Sequence, residues 1–309
     1  MAFQRIVEID NDELTDTWEV LGDTLYQTPE VSVSIEGEEF RPTSVKVETD
    51  RYTAAGMVET KGLFDGDTPA TGGELTADIN SERVFTGTVN DISRTDEGVL
   101  SITAFDAIKT LAQTSINQTF DMADMEFMTN HIAQKANIDA VVDIEWDMCL
   151  VPDYLGTKST TMLNQIAKWS GKNWWIDAEN TLHMGDPEPT VHQFSEDFIK
   201  AAPSVGDKEI PYNKVVVYGQ SPTSQSAEES DRGGDQTQHM ISKENLRGEA
   251  GDGDNVYRYG SKQIVNQKQA NIAAQAILDE FQMQRASGSV PIVGEGAPVR
   301  PLDVIEMPS

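Results

Sequence analysis

The sequence predicts a mainly β fold with a small α+β insertion, and three observations predict it. Short alternating strands separated by turn residues fill the first third. The apolar period lengthens to three or four residues in the middle, and strand patterns then return around one long amphipathic helix.

In the first region, VSVSI places Val31, Val33 and Ile35 on one face, and Glu36-Gly37-Glu38 allows a hairpin return. SVKVET places Val45 and Val47 together. MVETKGLF leads into turn-rich residues 65–69 and 71–73, and RVFTGTVNDISRT follows. After a turn at Asp96-Glu97-Gly98, Leu100, Ile102 and Ala104 alternate with Ser101 and Thr103. Turn signals at this spacing predict a small barrel or sandwich over 31–115. Residues 1–30 read as an N-terminal arm, with Ile6, Val7 and Ile9 strand-like and Leu14, Trp18 and Leu21 spaced like a helix face.

Residues 116–190 read as the α+β insertion. From Asp124 to Lys135, Met125, Met128, His131 and Ile132 recur at helical spacing. Ser159 is the expected N-cap of a second helix with Met162, Leu163, Ile166 and Ala167 on one stripe and Gly171 at its end. NWWIDAENTLHMGD then reads as a hairpin turning near Ala178-Glu179-Asn180, with Trp175 and Leu182 expected to pack on that helix. Residues 191–309 return to β structure. YNKVVVYGQ is a strand, 221–255 a long polar loop, and NVYRYG with QIV the next strand. A helix is expected from Gln267 to Arg285, with Ile272, Ala276 and Phe281 on its apolar side and Gln267, Asn271 and Gln275 facing water. SVPIVGEG and PLDVIEMP close the chain as short strands.

Charge narrows the function classes. The 309 residues carry 52 acids against 23 bases, a formal charge of −29 spread along the whole chain. Such self-repulsion destabilises a compact state unless salt screens it. The spreading implies a globular protein adapted to concentrated salt, and the same surface repels nucleic acid rather than binding it. No apolar run is long enough for a transmembrane helix, and the start lacks the pattern of a secretory signal. The single cysteine, Cys149, excludes an internal disulfide and reads as a small buried hydrophobe.

The motif search points away from catalysis. There is no phosphate loop, no dinucleotide fingerprint, no zinc-protease helix and no nucleophile elbow. His131, His183, His192 and His239 are far apart in the chain, and His131 reads as a helix-edge residue. Asp252-Gly253-Asp254-Asn255 is half of a calcium loop without its later ligands, so a solvated loop is the simpler reading and a cation near Asp252 and Asp254 the sharper one. Trp169, Trp174 and Trp175 fit a helix–hairpin core better than a sugar platform. The expected metal and cofactor complement is none.

Three segments in order carry a resemblance. VFTGTVNDISRTDEGVLSITAFDAIKTLAQ has a strand ending in F-T-G-x-V, a turn, a strand ending in an acid and a short helix. LNQIAKWSGKNWWIDAENTLHMGD has a helix and an aromatic hairpin, and YNKVVVYG, QMQRASGSV and PLDVIEM follow. Together these resemble the tail-tip and baseplate hub proteins of tailed viruses, the late control protein D family, which share a fold with the N-terminal part of type VI secretion spike proteins. The resemblance implies two tail-tube-like β-barrels, 31–115 and 191–309, flanking the insertion. Phe85, Thr86 and Gly87, then Asp106, then Leu302, Asp303, Val304 and Ile305 match framework positions, none of them catalytic. It also implies a homotrimer adapting a sixfold tube to a threefold tip, located in the virion after assembly in the host cytoplasm. The implied partners are the tail tube or a distal tail protein, the tape-measure protein, and a separate spike or receptor-binding protein, with DNA passing through unbound. With the acidic composition, the implied source is a virus of a salt-loving archaeon. The alternatives are a baseplate hub of a contractile system and a halophilic glycan-binding or adhesion protein.

Overall fold

Alternating strands of the first region close on themselves. The computed structural model describes residues 3–8, 19–21, 24–26, 30–49, 55–64, 68–95, 98–120, 123–145, 153–193, 204–207, 212–219, 246–283, 286–289 and 302–306. Expectations for Leu14, Trp18, Cys149, His239, most of the polar segment and the SVPIVGEG strand fall largely or wholly outside them. The first strands are β1 (Phe3–Glu8), β2 (Glu19–Leu21), β3 (Thr24–Tyr26), β4 (Val31–Ile35), β5 (Glu38–Thr49), β6 (Met57–Phe64), β7 (Glu74–Ile79), β8 (Glu82–Arg94) and β9 (Leu100–Phe105). They pair in the order β5-β4-β7-β8-β9-β6, and β6 returns to β5, which gives a closed six-stranded barrel. β1 extends this sheet along the second half of β5, from Phe3 opposite Thr49 to Glu8 opposite Ser44. β2 and β3 form a hairpin, so the helical reading of Leu21 is corrected to a strand.

Turn chemistry and packing explain the closure. Glu36 and Gly37 both have positive φ, the tight turn whose twist matches a hairpin. Pro42, which has no amide to donate, sits beside the bulge that shifts β5 against β6 between Pro42 and Ser44. Val33, Ile35, Phe40, Val45, Val58, Leu75, Phe85, Val89 and Ile102 fill the interior, each at most 3% exposed. In β9, Leu100, Ile102 and Ala104 point inward as their alternation predicts.

The middle of the chain supplies α1 (Ala107–Gln113), β10 (Ser115–Thr119), α2 (Met125–Ala136), β11 (Ala140–Val142), β12 (Asp153–Lys158), α3 (Ser159–Ser170), β13 (Asn173–Ile176) and β14 (Leu182–Gly185). Asp124 caps α2 by accepting from the Phe127 amide, and left-handed Gly171 ends α3. Ser159 is not the N-cap. Lys158 holds that position without a side-chain bond, because β12 runs straight into α3. The Ser159 hydroxyl instead donates to the Thr114 carbonyl. Of the tryptophan pair, Trp174 turns inward and donates to Asn164 Oδ1 at 2.8 Å. Trp175, expected against the helix, lies on the opposite face and stacks on His183 at 5.1 Å.

The last region has β15 (Val191–Gln193), β16 (Ser204–Asp207), β17 (Lys214–Tyr218), β18 (Arg247–Gly251), β19 (Val256–Gly260), α4 (Gln267–Met283), β20 (Ala286–Ser289) and β21 (Val304–Glu306). β17 lies between antiparallel β18 and parallel β19. β15 pairs with β21 in parallel, and β16 with β20 in antiparallel. Among the described residues these strands form three separate sheets, and no second closed barrel is traced.

Residues 246–251 depart from the expected polar loop. RGEAG is a strand because its glycine and alanine are packing residues: Gly248 and Ala250 are buried under α4. QIV is a turn rather than a strand, with Ile264 buried. Helix α4 exposes Gln267, Asn271 and Gln275 as expected, and its deepest face is Ala270, Ala273, Ala274, Ile277 and Leu278. That face shares one core with Met128, Ile132, Leu163, Ile166 and Trp174 from the middle region.

Candidate assembly site

The F-T-G residues lie within β8, paired with Leu75–Ala77 of β7. Phe85 and Gly87 follow one another on the same side of β8, and the Phe85 ring folds over Gly87. A Cβ at Gly87 would lie 2.5 Å from Phe85 Cζ and 2.5 Å from the Phe105 carbonyl oxygen of β9. Only glycine allows that approach. Thr86 is also buried, at 8% exposure.

β9 ends on Asp106, whose carboxylate joins two elements. Oδ1 accepts from the Ile108 amide at 2.9 Å and caps α1, and Oδ2 accepts from the Gly56 amide at 2.9 Å. A side chain at Gly56 would strike that same oxygen. The next amide, Ala107, donates to Asn180 Oδ1 at 2.7 Å, from the hairpin turn between β13 and β14. Barrel, helix and insertion are therefore held at one point. Asn180 was legible only as a turn residue, since its left-handed φ of 68° accounts for its identity without any distant partner.

The closing-strand residues form a separate seam. Asp303 Oδ1 accepts from the Thr190 amide at 3.0 Å, and Oδ2 lies 2.8 Å from His192 Nε2. Both side chains are nearly buried, at 9% for His192 and 6% for Asp303. The pair fixes the parallel register in which Val191 meets Val304 and His192 meets Ile305. Leu302 has φ of 80°, a left-handed geometry that leucine adopts only when its surroundings hold it. His192 read from sequence as an isolated histidine, and its partner lies 111 residues away.

The edges of the VSVSI and KVVVY strands are paired within the chain. VSVSI lies between β5 and β7, and KVVVY between β18 and β19. The exposed large hydrophobic side chains among the described residues are Leu63, Phe127, Val141, Leu155, Val191 and Val304. Leu155 is 91% exposed next to Gly156, whose positive φ and amide bond to Asn117 Oδ1 stand beside a bulge in the β10–β12 pair. A bulge re-aims side chains, and here it presents a leucine to the surroundings.

The half-calcium motif is a strap. Residues 252–255 carry the chain from β18 across the start of β17 to β19, and Asn213 exchanges hydrogen bonds with Asn255. Asp252 Oδ1 accepts from the Gly253 amide. Among the described residues no group of three or more His, Cys, Asp or Glu side chains comes together. Trp169 and Trp174 are 4% and 0% exposed, so the tryptophans do not form a sugar platform. No helix in the described residues is long and apolar enough to cross a membrane.

No family model and no curated protein matches the sequence. Solved structures do. The chain is similar to the 43 kDa tail protein of prophage MuSo2 from Shewanella oneidensis, at 16% identity and a TM-score of 0.62 over 90% of this chain and 89% of that one. It is similar to a tail protein from Neisseria meningitidis at 15% identity and a TM-score of 0.66, over 90% and 85%. Prophage tail protein gp18 from Listeria monocytogenes follows at 12% identity and 0.53, over 86% and 82%. The fold is thus one found in prophage tail proteins. It is shared along nearly the whole chain, not over the barrel alone.

Proposed function

We propose that this chain is the structural hub at the distal end of a viral tail. It adapts a sixfold tube to a threefold tip and forms part of the channel for genome delivery. The observation that carries this reading is the fold shared with two tail proteins, one of them from a prophage, over nine-tenths of the chain. The ordered motifs at Phe85–Gly87, Asp106 and Leu302–Ile305 support it, because each sits at a structural junction of that fold.

The role is that of an adaptor, not a catalyst. A closed barrel has no free strand edges, so its contacts with neighbours run through side-chain surfaces. Three copies around an axis, each offering a barrel from 31–115 and a second from 191–309, would present six to a tube. The neighbours are the tube or a distal tail protein, the tape-measure protein and a separate spike or receptor-binding protein. A charge of −29 on each copy repels DNA phosphates, so the genome slides without sticking. The molecule belongs in the virion, assembled in the cytoplasm of a salt-loving archaeal host.

Light scattering in molar salt tests the assembly. The expected result is a mass three times that of the chain, with threefold symmetry in images of the tail tip. A stable monomer both in isolation and in the virion rules the reading out.

A further inference from the structure

A groove beside helix α2 lies apart from the Asp106, Asp303 and Gly87 junctions described above. It runs along the outer side of α2 and the turn into β11, with a volume of about 750 Å³. It is an open surface groove rather than an enclosed cavity, so a ligand there would lie along the helix with one side in solvent. Phe127 stands at one end, 54% exposed. Its ring is held from behind, stacked on His131 at 6.3 Å and edge-on to Phe120 at 6.3 Å. An aromatic ring supported on one side and open on the other is a platform, and among the described residues none covers its outer side.

The rest of the lining is polar in a particular way. Asn130, Gln134 and Asn137 bring three exposed carboxamides, one helical turn apart, and Asp139 adds a carboxylate. A carboxamide both donates and accepts, which is also what a hydroxyl group does. Lysine and arginine are absent from the lining. His131 supplies no cation at neutral pH either, because burial lowers its pKa, with the Lys135 charge adding to the effect. A phosphate, sulfate or uronate would find nothing to pair with and a carboxylate to repel it. A purely apolar ligand would strand the amides. We propose that this groove binds an uncharged oligosaccharide, with one sugar ring stacked on Phe127 and its hydroxyls bonded to Asn130, Gln134 and Asp139.

This site is distinct from the three tryptophans and does not depend on the hub reading. The test uses the whole assembled protein in molar salt. Saturation-transfer NMR is recorded with neutral tetrasaccharides of glucose, mannose and N-acetylglucosamine, and with a galacturonate tetramer as the charged counterpart. At least one neutral tetramer is expected to bind, and the galacturonate tetramer is not. Phe127→Ala is expected to weaken binding about tenfold, in keeping with loss of a stacked ring. Because Phe127 also touches Phe120 and His131, Gln134→Ala provides a second variant on an exposed helix position, with a several-fold loss expected and an unchanged melting temperature. The proposal is overturned if no neutral tetramer binds at about 10 mM, a concentration well above weak sugar affinities. It is equally overturned if both variants bind as the parent does, if the charged tetramer binds as well as the neutral ones, or if assembly buries Phe127 so that a neighbouring copy is its occupant. None of these outcomes bears on the mass or symmetry that tests the hub.

Discussion

A single carboxylate at Asp106 accepts from two backbone amides, Ile108 and Gly56. Replacing it with alanine removes a helix cap and leaves a part-buried amide unpaired. We expect Asp106→Ala to lose about 2–4 kcal/mol of stability by urea unfolding. Asp106→Asn should lose less, since its one oxygen can still serve one of the two amides. His131 gives a second expectation at this scale. Its folded pKa is lowered below the ordinary 6.5 by burial first and Lys135 second. The unfolded chain therefore binds the proton more readily. The contribution to stability is complete above about pH 6.5 and is lost as pH falls through the lowered folded value. Melting temperatures measured between about pH 7.5 and 5.5 should fall more steeply for the parent than for His131→Gln. Equal slopes would show that His131 does not titrate differently on folding.

Among the elements, β18 shows how a loop-like composition becomes a strand. Gly248 faces α4, and a Cβ there would lie 2.2 Å from the backbone carbon and oxygen of Ala270. The helix can sit on the sheet only because that strand presents no side chain at the contact. Gly248→Ala should push α4 outward and destabilise the protein by about 1–3 kcal/mol, read by chemical denaturation. An unchanged midpoint would mean that the helix shifts at no cost. The same logic separates the two tryptophans: strand alternation sends Trp174 into the core and Trp175 to the face with His183, so only one of an adjacent pair can pack on α3.

At the scale of the whole molecule, charge dominates. With 52 acids and 23 bases, self-repulsion must be screened for the fold to be compact. Lysine and arginine pair with acids at partly exposed positions such as Lys172–Asp186 and Arg83–Asp78, and such pairs contribute little each. Melting temperature should therefore rise with salt from about 0.1 M to several molar, where the Debye length falls to roughly 3 Å. A flat profile would remove the argument for a high-salt environment. Trimer mass should be measured across the same series, because mutual repulsion between acidic copies also weakens at high salt.

Properties carried by nearest neighbours in the chain were open to sequence reading. The alternation in VSVSI and LSITAF, the helix over 124–135, the Gly171 stop and the polar stripe of α4 follow from local spacing and backbone preference. So did the mainly β class and the acidic surface. Strand patterning alone left barrel and sandwich open, and the barrel came from the family resemblance, because closure depends on β6 meeting both β5 and β9, a choice of partners that no single strand encodes. Asn180 on Ala107, and His192 with Asp303, were invisible for the same reason: each side chain is an ordinary turn or surface type whose partner lies 73 or 111 residues away. Gly248 read as a loop residue because sequence shows a missing side chain but not the helix that needs the space. The groove on α2 likewise needed the tertiary structure. Phe127 lies off the stripe of Met125, Met128 and Ile132, and only packing decides which other faces of a helix the rest of the chain covers.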